Sequence, residues 1–433
     1  NIINENSNTI TIGASGDTVA LASGASQTGF GRSGSVNYQT SIKTTNFTAV
    51  SGEGYFVDTS SGAITVTLPS SPSAGSIVAI VDYAGTSGNN KITIGRNGSN
   101  VEGSAVDGEI STNREAKTLV YADATQGWVS VADNTTETQA AAYIAATGGT
   151  VSTVCTDFKV HTFTGPGTFC VSNVGNSAGS NKVSYVIVAG GGGGGYEGGG
   201  GAGGFRESRA PTCSYSSSPI AITGSCGGVT VSSGPNAIVV GGGASGITSS
   251  APALAKGNVS SALGLTAAGG GGGKNSGTPV TNACGGSGGG GASSGPLNAG
   301  AAGNIPSVSP AQGFPGGNYL PAGNPGASVN TAGGGGGATA RGFGLACTDS
   351  GNGGAGASTS ITGSSVARAG GGGGGVNPPS PAKPGGTGGG GEGRSGAGES
   401  ASANTGGGGG GSWNNTGGNG GSGIVVIRYK FQN

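Results

Sequence analysis

The sequence predicts an all-β protein: N-terminal stalk strands and a β-sandwich-like module, followed by a small β-sheet that clamps a bundle of polyglycine-II helices. Three observations lead to this fold class. Segments that alternate apolar and polar residues recur up to residue 188, which is typical of strands. Gly accounts for 103 of 433 residues and is concentrated in runs after residue 185. A last alternating segment, residues 424–431, then closes the chain.

The first predicted element is a stalk or oligomerisation segment over residues 1–41. Residues 9–21 alternate with period two but are too few to form a core of their own. We therefore expect partner chains to cover the apolar face, and a homotrimer is the expected assembly. Because the sequence contains no Met and begins at Asn1, we also expect that further residues precede it or that a start was removed.

The second element is a β-sandwich-like module over residues 42–133. Turn-forming residues such as Pro69, Pro72 and Asn97 separate alternating, β-branched segments. A length of about ninety residues with about six strands suits a β-sandwich. The predicted strands are 55–58, 63–68, 76–83, 91–95, 116–121 and 127–131.

The third element is a glycine-rich domain over residues 140–433. Residues 158–163, 168–171 and 183–188 alternate as strands do, and so do residues 424–431. We expect the last of these strands to pair beside 183–188. The glycine-rich region between them would then be an insertion held at both ends by one sheet.

The glycine runs allow two interpretations. A run without side chains loses much backbone entropy on ordering, which favours a flexible linker. A repeating array favours instead polyproline-II-like rods, which have three residues per turn and bond laterally to one another. In such a bundle the intervening segments become loops at the two ends. The nine runs are 190–195, 198–201, 241–243, 269–273, 288–291, 333–337, 370–375, 388–391 and 406–411.

Six cysteines are consistent with an ordered domain in an oxidising, extracellular setting. Fifteen pairings are possible, and we favour disulfides between neighbours in sequence. The alternative is that the cysteines are small buried thiols. The favoured pairs are Cys155 with Cys170, Cys213 with Cys226, and Cys284 with Cys347.

The composition argues against several functions. The 18 basic and 18 acidic residues cancel, which disfavours nucleic acid or an anionic membrane as a partner. No apolar run approaches the length of about 20 residues that inserts into a bilayer. The single His, His161, lies mid-strand without recognisable catalytic or zinc partners, so we expect no enzyme activity, metal or cofactor.

Scarce aromatic and basic residues lie in the segments between the glycine runs. Large aromatics on rigidly held loops are common recognition residues, although such side chains can also cap the ends of the bundle. The candidate contact residues are Tyr196, Tyr215, Tyr319, Arg341, Arg394 and Trp413.

Two segments resemble a known class of proteins. Residues 54–75, with Asp82-Tyr83, 94–99 and Gly127-Trp128, resemble a β module of tail-fibre and virion structural proteins of marine phages, cyanophages among them. Residues 158–169, 186–193 and 422–429 resemble the frame of the glycine-rich terminal domain found in such fibres. The bundle is similar in principle to the tip adhesins of some T-even-like phages, whose end loops contact the host.

The resemblance implies a phage tail fibre located on the virion and extracellular. Its expected partners are a host cell-surface glycan or outer-membrane protein, and other virion tail proteins bound through the segment before Asn1. Two alternatives remain open. The chain could be a structural subunit of an extracellular filament or virion appendage without a receptor, or an ice-binding bundle, although its loops are irregular for the latter.

Overall fold

The computed structural model describes residues 36–131, 141–176, 178–248, 255–275, 283–293, 299–319, 330–344 and 351–432. The protein is all-β, with about 29% strand and about 1% helix, which confirms the predicted fold class. The chain divides into two compact units, Asn1–Ala140 and Ala141–Asn433. The predicted stalk strand at residues 9–21 lies outside the described residues.

The first unit packs two sheets around one core that contains Trp128, Ile80 and Leu119. Its strands are β1 (Asn37–Tyr38), β2 (Phe47–Thr48), β3 (Glu53–Val57), β4 (Ile64–Thr67), β5 (Ile77–Asp82), β6 (Ile92–Gly95), β7 (Gly108–Ile110), β8 (Ala116–Tyr121) and β9 (Trp128–Ser130).

From β1 to β6 the chain of this unit alternates between the two sheets. One sheet has the order β1-β3-β5-β8-β9 and the other β2-β4-β6-β7. Because successive strands lie in different sheets, β1, β3 and β5 pair in parallel, as do β2, β4 and β6. The alternating burial of β4, in which Ile64 and Val66 face inward, shows why period two marked these strands correctly.

The second unit contains the glycine-rich region and the strands that frame it, and its described residues include a 3₁₀ turn at Gly224–Cys226. The strands are β10 (Ile144–Thr147), β11 (Thr150–Val154), β12 (Phe158–Phe163), β13 (Gly167–Val174), β14 (Lys182–Val188), β15 (Phe205–Ser208), β16 (Val229–Thr230), β17 (Gly234–Ile238), β18 (Ser260–Ala262), β19 (Leu265–Ala267), β20 (Ala357–Thr359), β21 (Val366–Arg368) and β22 (Ile424–Lys430).

One sheet joins the two ends of the glycine-rich region, and we call it the clamp sheet. Its order is β11-β12-β22-β14-β15. Strands β14 and β22 pair antiparallel, with Ile187 opposite Val425. This pairing confirms that the strands predicted at 183–188 and 424–431 lie side by side. Apolar clusters cover both faces, so β14 and β22 read as almost continuous apolar runs.

The glycine runs form extended segments, here called rods, that bond to one another through the backbone. Rod 190–195 shows the pattern most clearly. The N–H groups of Gly190 and Gly193 donate to Asn258 and Ala255, which lie on a single neighbouring rod. Bonds to a given neighbour thus recur every third residue, as a polyglycine-II helix with three residues per turn requires.

Rod 190–195 bonds to six neighbours in all. Its N–H groups donate to rods 255–258, 418–421 and 198–201, and its carbonyls accept from rods 244–247, 270–273 and 409–412. Backbone groups that are buried without water are thereby paired. The rods surrounded on six sides in this way include 190–195, 198–204, 333–338, 369–375 and 406–412.

Close packing explains why these rods consist largely of Gly. A Cβ atom on Gly191 would lie 1.8 Å from the carbonyl oxygen of Gly407, and one on Gly335 would lie 1.9 Å from that of Gly200. Real Cβ contacts are never so short. The three six-residue runs all lie in surrounded rods, whereas outer rods such as 241–248 carry Ala, Ser and Ile.

Candidate functional site at the tip of the glycine-rich bundle

The rods end on two opposite sides of the bundle. Rod 190–195 leaves the clamp sheet directly after β14 and therefore runs away from it. At its far end Ser412 N donates to Gly195 O and Gly375 N donates to Glu197 O at 2.8 Å. We call this far end the tip. It consists of turns between rods, which is where the sequence places recognition loops.

Three tip segments meet at one place, which we call the tip corner: residues 195–198, 394–398 and 412–416. Arg394 N donates to Gly411 O at 3.1 Å, and Gly398 N donates to Thr416 O at 2.9 Å. The first segment joins the third because Tyr196 Oη donates to Asn414 Oδ1 at 2.6 Å. The tip corner therefore brings together Tyr196, Arg394 and Trp413, three of the predicted contact residues.

Trp413 is half-buried and lies between two residues that fix its loop. Ser412 is fully buried, and its Oγ donates to the carbonyl of Asn415 and lies 3.3 Å from the carbonyl oxygen of Tyr196. Asn414 has φ +62, in the left-handed region that Asn tolerates better than most residues. The loop conformation is thus specified on both sides of the indole.

Arg394 carries its charge in a small ion-pair network. Its Nε donates to Glu392 at 2.8 Å and its Nη2 to Glu399 at 3.1 Å. The hydrogen bond that Arg394 donates to Glu392, together with the charge of Glu399, raises the pKa of the guanidinium. Exposed pairs of this kind stabilise by at most about 1 kcal/mol, so the main effect of the network is that two carboxylates offset the charge of Arg394.

Other tip residues are buried below the loops. Tyr319 is only 5% exposed, and burial, followed by the charge of Glu197, raises its pKa. Glu197 accepts a hydrogen bond from Ser293 Oγ at 2.8 Å. Lys274 is fully buried, which lowers its pKa, and its Nζ donates to the carbonyl of Ala299. These side chains support the tip from beneath, and Tyr319 is too buried for a large contact.

Two further candidates lie away from the tip. Arg341 is exposed after the turn in which Gly337 N donates to Ala340 O, at the bundle end near the clamp sheet. Tyr215 is 9% exposed and packs in the core against Arg428, whose guanidinium carbon lies 5.2 Å from the ring centroid. The structure does not bring these two residues together with Trp413.

The disulfide prediction needs correction. The five described cysteines are free thiols. Cys347, the predicted partner of Cys284, lies outside the described residues. Cys213 is buried, with its Sγ 3.8 Å from the carbonyl oxygen of Arg428, whereas Cys226 is exposed. The two side chains therefore occupy different environments.

The pair Cys155–Cys170 is also not formed. Cys155 lies in the exposed turn between β11 and β12, with φ +48. Cys170 lies within β13, which belongs to another sheet with the order β10-β13-β17. Cys155 and Cys170 are close in sequence but not paired, because the chain passes from one sheet to another between them. Of these four unpaired cysteines, only Cys213 is the small buried thiol of the alternative interpretation, because Cys155 and Cys226 are exposed and Cys170 is partly exposed.

His161 is fully buried in the clamp sheet. Its Nδ1 lies 2.7 Å from Gly148 O, and its Nε2 lies 3.1 Å from Tyr429 Oη. A carbonyl can only accept, so Nδ1 carries the hydrogen and Nε2 accepts from the tyrosine. The ring also stacks on Tyr429, with the centroids 5.5 Å apart. Burial lowers the pKa of His161, which keeps the imidazole neutral.

Asn414 is the residue at the tip corner that sequence reasoning missed. The available signal was its position directly after Trp413, followed by Asn415 and Thr416. Within the described ranges no group of three His, Cys, Asp or Glu side chains could hold a metal ion. The same residues contain no helix with the length and hydropathy needed to cross a membrane.

Comparison with known proteins gives one relationship. No curated protein matches the sequence. A family model described as a glycine-rich domain matches residues 162–430, which is more than half of the chain. The match begins in β12 and ends in β22, so it spans the central clamp strands and the whole bundle between them. The chain therefore belongs to the glycine-rich domain family.

Proposed function

We propose that this protein is the distal part of a phage tail fibre and acts as a receptor-binding adhesin through the tip of its glycine-rich bundle. The observation that carries the proposal is the tip corner. Tyr196, Arg394 and Trp413 are far apart in sequence, yet the bundle places them on adjoining turns. Recognition residues on a rigid framework match the usual division between scaffold and binding loops.

The framework supports this role because its rods are held by their own backbones. A surrounded rod such as 190–195 bonds to six neighbours without using a side chain. Its ends are therefore fixed, and the loops that join the rods start from fixed points. Pre-organised loops lose less conformational entropy on binding, which favours affinity.

The proposal includes the setting and partners expected from the phage resemblance. The protein would be extracellular, on the virion tail fibre, and would assemble as a homotrimer. Residues preceding Asn1 would bind other virion tail proteins, and the tip would bind a host cell-surface glycan or outer-membrane protein. The proposed role is binding and not catalysis.

A cell-labelling experiment tests the proposal. Fluorescently labelled protein is incubated with a panel of marine bacteria that includes cyanobacteria, and bound fluorescence is measured by cytometry. We expect a subset of strains to be labelled, and labelling to be lost when residues 413–415 are replaced by Gly. Arg341→Gln, at the opposite end of the bundle, is the matched control and should bind normally.

Negative-stain imaging of the same protein separates the proposal from a purely structural role. Discrete particles that label cells support an adhesin. Open-ended filaments of the isolated chain, without labelling of any strain, would instead favour a filament subunit.

A further inference from the structure

We propose that the tip corner is a saccharide-binding subsite in which the indole of Trp413 stacks on a sugar ring and the amides of Asn414 and Asn415 bind its hydroxyl groups. This inference rests on the proposed adhesin function and assigns its receptor to the glycan class. The evidence comes from the exposure of the indole, the unused hydrogen-bond donors beside it, and the way in which the loop is held.

The first observation is the state of the two tryptophans. Trp128 is fully buried and packs edge-on against Tyr121, with the ring centroids 5.7 Å apart. Trp413 is only half-buried, and no aromatic ring of the described residues stacks on it. An indole carries negative charge on its faces, which attracts the polarised C–H groups on the apolar face of a sugar.

The second observation concerns the donors beside the indole. Asn414 and Asn415 are exposed. Asn414 Oδ1 accepts from Tyr196 Oη, and Asn415 Oδ1 accepts from Thr416 N at 2.7 Å. Each bond engages the amide oxygen, while no bond within the described residues involves either Nδ2 group. Two oriented NH₂ groups therefore remain to donate to sugar hydroxyl oxygens.

The third observation is pre-organisation of the loop. The bond from Tyr196 Oη holds Asn414 at φ +62, and buried Ser412 fixes the other side of Trp413. Because the loop is already held in this conformation, a ligand need not bear the cost of ordering it. Tyr196, a predicted contact residue, thus acts here as a positioning residue for Asn414.

The surroundings favour a glycan over a protein. Specific protein interfaces bury about 800 Å² per partner around an apolar core. Around Trp413 the sequence supplies Gly, Ser, Asn and Thr. Among the described residues, the large apolar side chains that are exposed, such as Val259, Ile305 and Phe314, all lie outside the tip corner. A single aromatic platform with flanking amides suits a ligand of one or two sugar rings.

Fluorescence quenching provides a direct test, because Trp128 is inaccessible and Trp413 is not. Iodide should quench Trp413 selectively in the intact protein. Polysaccharide extracted from a strain that the protein labels should protect Trp413 from iodide. Protein extracted from the same outer membranes and freed of glycan should not protect it. Protection by the protein fraction alone would overturn the inference.

Matched variants test the assigned roles. Trp413→Ala should abolish labelling of cells. Tyr196→Phe, which removes one hydroxyl, should weaken labelling about five- to tenfold, as expected for one lost hydrogen bond. Arg341→Gln should bind as the parent does. Hydrogen exchange of residues 190–195 should be the same in all variants, which separates loss of binding from loss of the bundle. Undiminished labelling by the Tyr196→Phe and Trp413→Ala variants would contradict the subsite.

Treated cells separate failure of this inference from failure of the adhesin function. Periodate cleaves vicinal diols of sugars, and protease removes exposed proteins. Labelling lost after periodate and kept after protease supports the subsite. Labelling kept after periodate and lost after protease refutes the subsite but leaves the adhesin function standing. If the intact protein labels no strain, both proposals fail.

Discussion

The packing of the bundle predicts that two Gly→Ala substitutions in the same domain have opposite effects. Gly191 lies in a surrounded rod, where a Cβ would be 1.8 Å from the carbonyl oxygen of Gly407. Gly242 lies in an outer rod, where the nearest atom to a Cβ is Asn258 Nδ2, at 3.6 Å. Both substitutions add one methyl group and reduce the entropy of the unfolded chain equally.

The magnitude for Gly191→Ala follows from the hydrogen bonds that must give way. A carbon–oxygen contact needs about 3.3 Å, so the rods must separate by about 1.5 Å. Bonds at stake include Gly191 N to Gly421 O at 2.9 Å and Gly421 N to Gly407 O at 2.8 Å. Each buried group left unpaired costs about 1–3 kcal/mol, so we expect a loss of about 2–6 kcal/mol if the N–H groups of Gly191 and Gly421 lose their acceptors. Most domains have only about 5–15 kcal/mol in total.

Gly242→Ala should instead stabilise the bundle by about 0.4–1 kcal/mol, through the unfolded state. Hydrogen exchange measured by mass spectrometry at increasing urea gives the local free energy of opening for peptides that cover residues 189–204. Equal values for the two variants would refute the lateral packing of the rods and would favour a loose glycine linker.

Three further predictions concern buried groups. Burial lowers the pKa of His161 below its ordinary value of 6.5, so between the folded and unfolded pKa values the unfolded chain binds more protons than the folded chain. The contribution of His161 to the free energy of unfolding should therefore be fully present above about pH 6.5 and decrease as the pH falls below that value. His161→Gln should remove this part of the pH dependence of the urea midpoint. Glu207→Ala leaves Ser218 N and Thr359 Oγ1 without their acceptor and should lower the free energy of unfolding by about 2–6 kcal/mol. The exposed Glu399→Ala should lower it by less than about 1 kcal/mol. Maleimide should label exposed Cys226 in the native protein and buried Cys213 only after unfolding, as read by mass spectrometry; a native Cys226 that reacts only after reduction would restore the disulfide hypothesis.

The bundle could be predicted from the sequence because glycine runs mark the segments whose backbones pack too closely for a side chain. Where a rod is surrounded, only Gly fits, and the longest runs mark those rods. The pairing of β14 with β22 was predictable for a similar reason, since two apolar, alternating segments frame the region. In both cases the physical constraint acts on every residue of a segment, so it leaves a pattern.

Features that depend on single distant partners left no such pattern. Tyr215 was expected on a loop, but its ring packs against Arg428, more than two hundred residues further along the chain. The short hairpin of β20 and β21 was missed because its strands have three residues each, too few for a period to show. In the first unit six of the nine strands were predicted and the short strands β1, β2 and β7 were missed, and period two does not distinguish parallel from antiparallel pairing.

The order of the rods along the chain has a consequence for biosynthesis. Rod 190–195 is the first to leave the ribosome, yet two of its six neighbours belong to residues 406–421. The strand β22 likewise occupies the middle of the clamp sheet, between β12 and β14. Neither the sheet nor the central rod can be completed before residues 406–430 have been made. A chain that ends before residue 406 therefore lacks the contacts that close this unit.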